Sequence, residues 1–132
     1  MRKLTIILIF VLVGCSTKPA SVQDRWHQLA SKAHELTTTF SGVAWEQQML
    51  PVHNAFWPQV IEACGPQAQA AGITSFKAVA AISSTGVITE YLPEPDSNVL
   101  ECFSKQMVGR KYPAPPESPF YELYTVNLSP DA

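Results

Sequence analysis

The chain has 132 residues, nine of them basic and eleven acidic, with 46% hydrophobic and 15% charged residues. That length fits one domain with a modest core, and the Ala, Pro and aromatic content is not that of a disordered chain, except locally. Beyond the first three residues, Arg110 and Lys111 are the only adjacent cations; sequence-independent nucleic-acid binding, which relies on clustered Lys and Arg, is excluded.

Arg2 and Lys3 precede an apolar run, Leu4 to Val13, broken only by Thr5 and followed by Gly14-Cys15. A positive start, an apolar stretch of about ten residues and a small-residue cleavage site are the parts of a secretory signal. The run falls short of the roughly twenty apolar residues that span a bilayer. With Leu12-Val13-Gly14-Cys15 at the cut, residues 1–14 resemble the cleaved signal peptides of bacterial lipoproteins. The resemblance implies that Cys15 becomes the acylated N-terminus, carrying a diacylglyceryl group and often a further acyl chain; more than one chain is what stable anchoring requires. Ser16 stands where an Asp would be the usual inner-membrane retention signal in enteric-type bacteria. Its presence leans towards the periplasmic face of the outer membrane. Losing Arg2 and Lys3 from the nine basic residues leaves seven against eleven acidic ones, a formal balance of −4.

Residues 15–23 read as a short lipidated tether, and residues 24–63 as a helical region. Ser21 and Asp24 have the spacing of a capping box, with Asp in place of the preferred Glu. Trp26, Leu29, Ala30, Ala33, Leu36 or Thr37, and Phe40 then recur at three- and four-residue steps, one face of an amphipathic helix. Thr37-Thr38-Thr39 and Gly42 end it. A second helical stretch covers about 44–63, with Phe56, Trp57, Val60, Ile61 and Cys64 on its apolar face. Pro51 and Pro58 predict a break or kink in it, because proline lacks the N–H and clashes with the preceding turn. Gly65-Pro66 is expected to stop it, leaving Pro66 to Gly72 as a connection.

The period changes at Ser75. Phe76, Ala78, Ala80 and Ile82 alternate with Lys77, Val79, Ala81 and Ser83, as in a strand. Thr85-Gly86 marks a turn, and Val87 to Leu92 completes a hairpin, ended by Pro93 and Pro95. Asp96 or Ser97 caps a third helix through Val99, Leu100, Phe103 and Met107, stopped by Gly109. Tyr112-Pro-Ala-Pro-Pro is an extended spacer. Phe120, Glu122, Tyr124, Val126 and Leu128 alternate with Tyr121, Leu123, Thr125 and Asn127 in a last strand. The predicted class is α+β: N-terminal helices followed by a β-β-α-β unit with a small three-stranded antiparallel sheet, packed as one domain.

Three cysteines leave an odd thiol in a secreted chain. With Cys15 lipidated, Cys64 and Cys102 remain, and an oxidising compartment favours a bridge between them where geometry permits. Closing that loop is worth about 4 kcal/mol in the chain-entropy model. The other reading is two unconnected buried cysteines.

The region 64–130 resembles the C-terminal domains of TonB and TolA. The resemblance rests on Ile61-Glu-Ala-Cys64-Gly65 closing a helix, the alternating strand Phe76–Ser83 and Thr85-Gly86-Val87 at the turn. It continues through Cys102 on the next helix, Tyr112-Pro113 and the closing strand. The family's paired cysteines support a bridge between Cys64 and Cys102, and its members engage partner peptides by strand addition. The chain departs from the family in lacking a membrane-spanning anchor and a long linker, which argues against an energy transducer acting across the periplasm.

An antiparallel sheet leaves edge strands whose unpaired backbone groups can receive another strand. The last strand is the candidate surface: Phe120, Tyr121, Glu122, Leu123, Tyr124, Thr125 and Val126. The competing reading is that its aromatics only fill the core and helices cover its edge. The function expected is a non-enzymatic protein-interaction module of the cell envelope, with homodimerisation by strand pairing as one form of it. The alternative is an apolar-ligand or lipid-binding lipoprotein, with a pocket lined by Trp45, Phe56 and Trp57. His27 and His34 lack the i, i+4 spacing of a helical metal pair, neither HExxH nor CxxC occurs, and Ser83-Ser84-Thr85-Gly86 is no nucleophile elbow. No metal, cofactor or catalytic residue is expected.

Overall fold

The structure, a computed structural model, describes Gly14 and residues 21–129. The remainder of the signal segment, Cys15 and the tether up to residue 20 lie outside the described residues. The first helix, α1 (Val22–Thr37), begins inside the expected tether and is opened by the capping box read from the sequence. The Ser21 hydroxyl accepts from the Asp24 N–H, and the Asp24 carboxylate accepts from the Ser21 N–H, each at 3.1 Å. Trp26, Leu29 and Ala33 form its buried stripe. Thr38 and Thr39 then turn their hydroxyls back onto the last carbonyls of α1.

Thr39 also caps the second helix, α2 (Phe40–Ala70), accepting from the Gly42 N–H at 3.0 Å. Phe40, expected on the apolar face of the first helix, is instead the first residue of α2 and is 93% exposed. The corner is tight: a Cβ on Gly42 would lie 2.0 Å from the Leu36 carbonyl oxygen.

The expected break in the second helix is absent. Pro51, Pro58 and Pro66 all lie inside α2, which runs unbroken past Gly65-Pro66 and past the expected end of the helical region at residue 63. All three prolines occupy exposed positions, and so do Gln47, Asn54 and Glu62, whose carbonyls lose their i+4 donors. Water can satisfy those carbonyls because they belong to the solvent side of the helix, where backbone bonds stretch most readily. The buried side keeps its ladder and carries Trp45, Met49, Val60, Cys64, Gly65 and Ala68. Gly72, with φ of 80°, ends the turn that follows.

Strands β1 (Ser75–Ile82) and β2 (Ile88–Glu94) form the hairpin, helix α3 (Glu101–Met107) follows, and β3 (Phe120–Asn127) returns to the sheet. The three strands are antiparallel in the order β2-β1-β3. The structure is therefore α+β with a small three-stranded antiparallel sheet. Strand β2 continues through Pro93 instead of stopping there. Pro93 sits opposite Ala78 on an edge strand, at a non-bonded position of the ladder whose missing N–H would face outward. Gly86 adopts φ of 90° beneath the returning chain, where an added Cβ would meet the Tyr112 oxygen at 2.1 Å. The Tyr112 N–H donates to Gly86 O at 2.9 Å, which pins the spacer after α3 to the hairpin turn.

Helices cover both faces of the sheet. On one face α1 packs Trp26 and Leu29 against Val79, Leu92, Tyr121 and Leu123. On the other, α2 and α3 enclose a core with Phe76, Ala78, Ala80, Ile82, Tyr91, Tyr124 and Val126. Cys64 of α2 and Cys102 of α3 are joined by a disulfide, with Cα atoms 5.7 Å apart.

Candidate functional site

Among the described residues, strand β3 is bonded to β1 on one side only. Leu128 N–H donates to Thr74 O at 2.8 Å, and the register runs without a shift from Ser75↔Asn127 to Ile82↔Phe120. Bonded and non-bonded pairs alternate in an antiparallel ladder. Glu122, Tyr124 and Val126 therefore turn their backbone groups inward to β1. Tyr121, Leu123, Thr125 and Asn127 turn their N–H and C=O groups outward. Among the described residues, no hydrogen bond from another segment reaches those outward groups.

A groove of about 480 Å³ runs along this edge. One wall is the unbroken run Glu122, Leu123, Tyr124, Thr125, Val126 and Asn127. A cavity over one face of a strand would meet alternate residues only, so the run locates the groove beside the edge. The other wall is a stripe of α2: Val43, Glu46, Gln47, Leu50, His53 and Trp57. These recur at three- and four-residue steps, the spacing of neighbours on one helix face. Val43 and Leu50 are 43% and 53% exposed, so part of that wall is apolar surface open to water.

The floor is polar in one place. Glu122 belongs to the inward phase of β3, between Phe120 and Tyr124, and is only 4% exposed. Among the described residues its Oε2 has no hydrogen-bond partner. Burial, and after it the neighbouring carboxylate of Glu46, push the Glu122 carboxyl up to about 8. Deeper in, the Tyr124 hydroxyl donates to the Tyr112 hydroxyl at 3.1 Å, and Tyr112 bonds His53 Nδ1 at 2.8 Å. Burial holds the His53 imidazole below its usual pKa, favouring the neutral ring. His53 stacks on Trp57 at 4.9 Å and on Tyr124 at 5.6 Å.

The seven residues expected to form the partner surface divide. Glu122 to Val126 line the groove. Phe120 is wholly buried against Trp45, with ring centroids 4.7 Å apart. Tyr121 lies on the α1 face, with the Lys32 ammonium over its ring. These two are core and packing residues. Cys15 lies outside the described residues, and Cys64 and Cys102 are bridged away from the groove.

Trp45, Phe56 and Trp57 do not share a cavity. Trp45 is buried and donates its indole N–H to Pro113 O at 2.9 Å. Phe56 packs against Tyr112 and carries the Arg110 guanidinium over its ring, and Trp57 alone of the three reaches the groove. Among the described residues no three His, Cys, Asp or Glu side chains gather as metal ligands.

Glu46, Val43 and Leu50 were not singled out by the sequence reading. One signal was available: Glu122 puts a carboxylate in the apolar phase of an otherwise regular alternating strand. Comparison with protein-family models, with curated proteins and with solved structures gives no match to this chain.

Proposed function

We propose that this chain is a cell-envelope lipoprotein that works as a protein-interaction module, capturing an extended segment of a partner along the open edge of β3. The observation that carries the reading is the groove itself: six consecutive residues, Glu122 to Asn127, beside an unpaired strand edge and facing a partly apolar helix stripe. An added strand would satisfy the outward groups of Leu123 and Thr125 and bury Val43 and Leu50. The β-β-α-β order and the cysteine pair support the resemblance to TonB and TolA C-terminal domains, which bind partner peptides in this manner.

The anchor belongs to the same proposal. Lipid on Cys15 would hold the domain at the periplasmic face of the outer membrane. Six residues from Cys15 to Ser21 reach no further than about 20 Å when fully extended, so capture takes place close to that surface. A photo-crosslinking residue at Thr125, introduced in intact cells, tests the reading. A discrete adduct that is lost with Val43→Asp, and absent when the crosslinker stands at Lys105 on α3, is the expected result. An adduct of twice the chain mass identifies the partner segment as a second copy. Equal labelling from both positions would refute the proposal.

A further inference from the structure

The charge lining the groove has one sign. Among the described residues its ionisable carboxylates are Glu46 from α2 and Glu122 from β3, and no Lys or Arg lines it. The other titratable groups there are His53 from α2, held neutral by burial, and the hydroxyl of Tyr124. Nearby cations are engaged elsewhere: Lys32 over Tyr121 on the opposite face of the sheet, Arg110 over Phe56, and Arg25 with Glu90. Meanwhile Glu122 is almost wholly buried, with Oε2 unpartnered. Glu122 shares a side-chain hydrogen bond with Glu46, which still leaves Oε2 bare; a buried carboxyl oxygen without a partner is costly, and the neighbour across the ladder, Ala80, offers none.

The position of Glu122 says where the missing partner would come from. A strand added to β3 places side chains about 5 Å from their cross-strand neighbours, every second one on the α2 side. A basic side chain in that phase can lay its methylene stem along Val43 and Leu50 and set its charge at the two carboxylates. The next side chain in the same phase, two residues away, comes beside Tyr124, where the stacked rings of His53 and Trp57 line the groove.

We infer that the segment captured by β3 carries a lysine or arginine whose side chain enters the groove between Glu46 and Glu122, with an apolar residue two positions from it. The inference rests on strand capture and adds the chemistry of the partner. Binding of the cation ionises Glu122, so capture releases a proton and strengthens as pH rises from 6 to 9.

A displayed library of random ten-residue peptides, selected on the intact protein, tests it. Enriched peptides are expected to share Lys or Arg two residues from an apolar side chain. The lysine form of a selected peptide should bind at least about tenfold more tightly than its norleucine form. Glu46→Gln/Glu122→Gln should remove that preference and the pH dependence while still selecting extended, β-branched peptides. Thr125→Pro, with its circular dichroism unchanged, should select nothing. Enrichment without a basic preference, or the same preference on the double variant, overturns this inference and leaves strand capture standing. Basic peptides that bind Thr125→Pro as well as the native chain overturn strand capture, and no enrichment at all overturns both.

Discussion

Replacing Glu122 with Gln has a consequence for stability that depends on pH with a definite sign. In the folded chain the Glu122 carboxyl keeps its proton to about 8, against 4.5 for an ordinary glutamate. Between those values the folded state binds more protons than the unfolded one, so stability falls as pH rises. The loss is absent below about 4.5 and complete above about 8. At about 1.4 kcal/mol per pH unit the shift sets a ceiling near 5 kcal/mol. The effective dielectric of about 20 that holds even at buried sites lowers the expected loss to about 2–3 kcal/mol. Gln carries no titrating proton, and the Glu122→Gln chain should match the native one at pH 4 and exceed it by that amount at pH 9. Urea denaturation followed by circular dichroism, with the disulfide intact, measures the difference at each pH. Glu46→Gln, which removes one cause of the shift, should shrink the loss. Native and Glu122→Gln curves that stay parallel from pH 4 to pH 9 would refute this description of the site.

Other consequences are simpler. Reducing the Cys64–Cys102 bridge, which spans 38 residues, should cost about 4 kcal/mol of unfolding free energy, read by denaturation with and without reductant. Tyr91 is 2% exposed with an unpartnered hydroxyl, so Tyr91→Phe should be neutral or stabilise by up to about 1 kcal/mol in the same assay. Tyr112→Phe, which breaks the bonds to His53 and Tyr124, should instead cost about 1–2 kcal/mol. Gly42→Ala forces a Cβ against the Leu36 carbonyl and should lower stability by about 2 kcal/mol or more, since neither atom can give way without opening the corner between α1 and α2.

Local chemistry was legible where one short segment decides the outcome. Ser21 and Asp24 announce the start of α1, Gly86 marks a turn that needs positive φ, and alternation places Phe76 to Ile82 and Phe120 to Val126 in strands. What failed was inference from single residues whose effect depends on orientation. A proline breaks a helix when its lost bond is buried; Pro51, Pro58 and Pro66 all face water, and α2 continues. Pro93 is tolerated because β2 is an edge strand and its nitrogen faces outward. The site was half legible. The last strand was the right element, yet the division of its residues between core and groove depends on where the two helices lie. Glu46 is far from Glu122 in the chain, and only tertiary packing brings the two carboxylates together.

The central claim concerns the outward backbone groups of β3, and amide hydrogen exchange followed by NMR reads them one by one. In the free protein the amides of Leu123 and Thr125 should exchange quickly and those of Glu122, Tyr124 and Val126 slowly. Adding a selected peptide should slow Leu123 and Thr125 at least about tenfold and leave the inward set unchanged. Peptide binding that leaves Leu123 and Thr125 exchanging at their free rates would contradict strand capture.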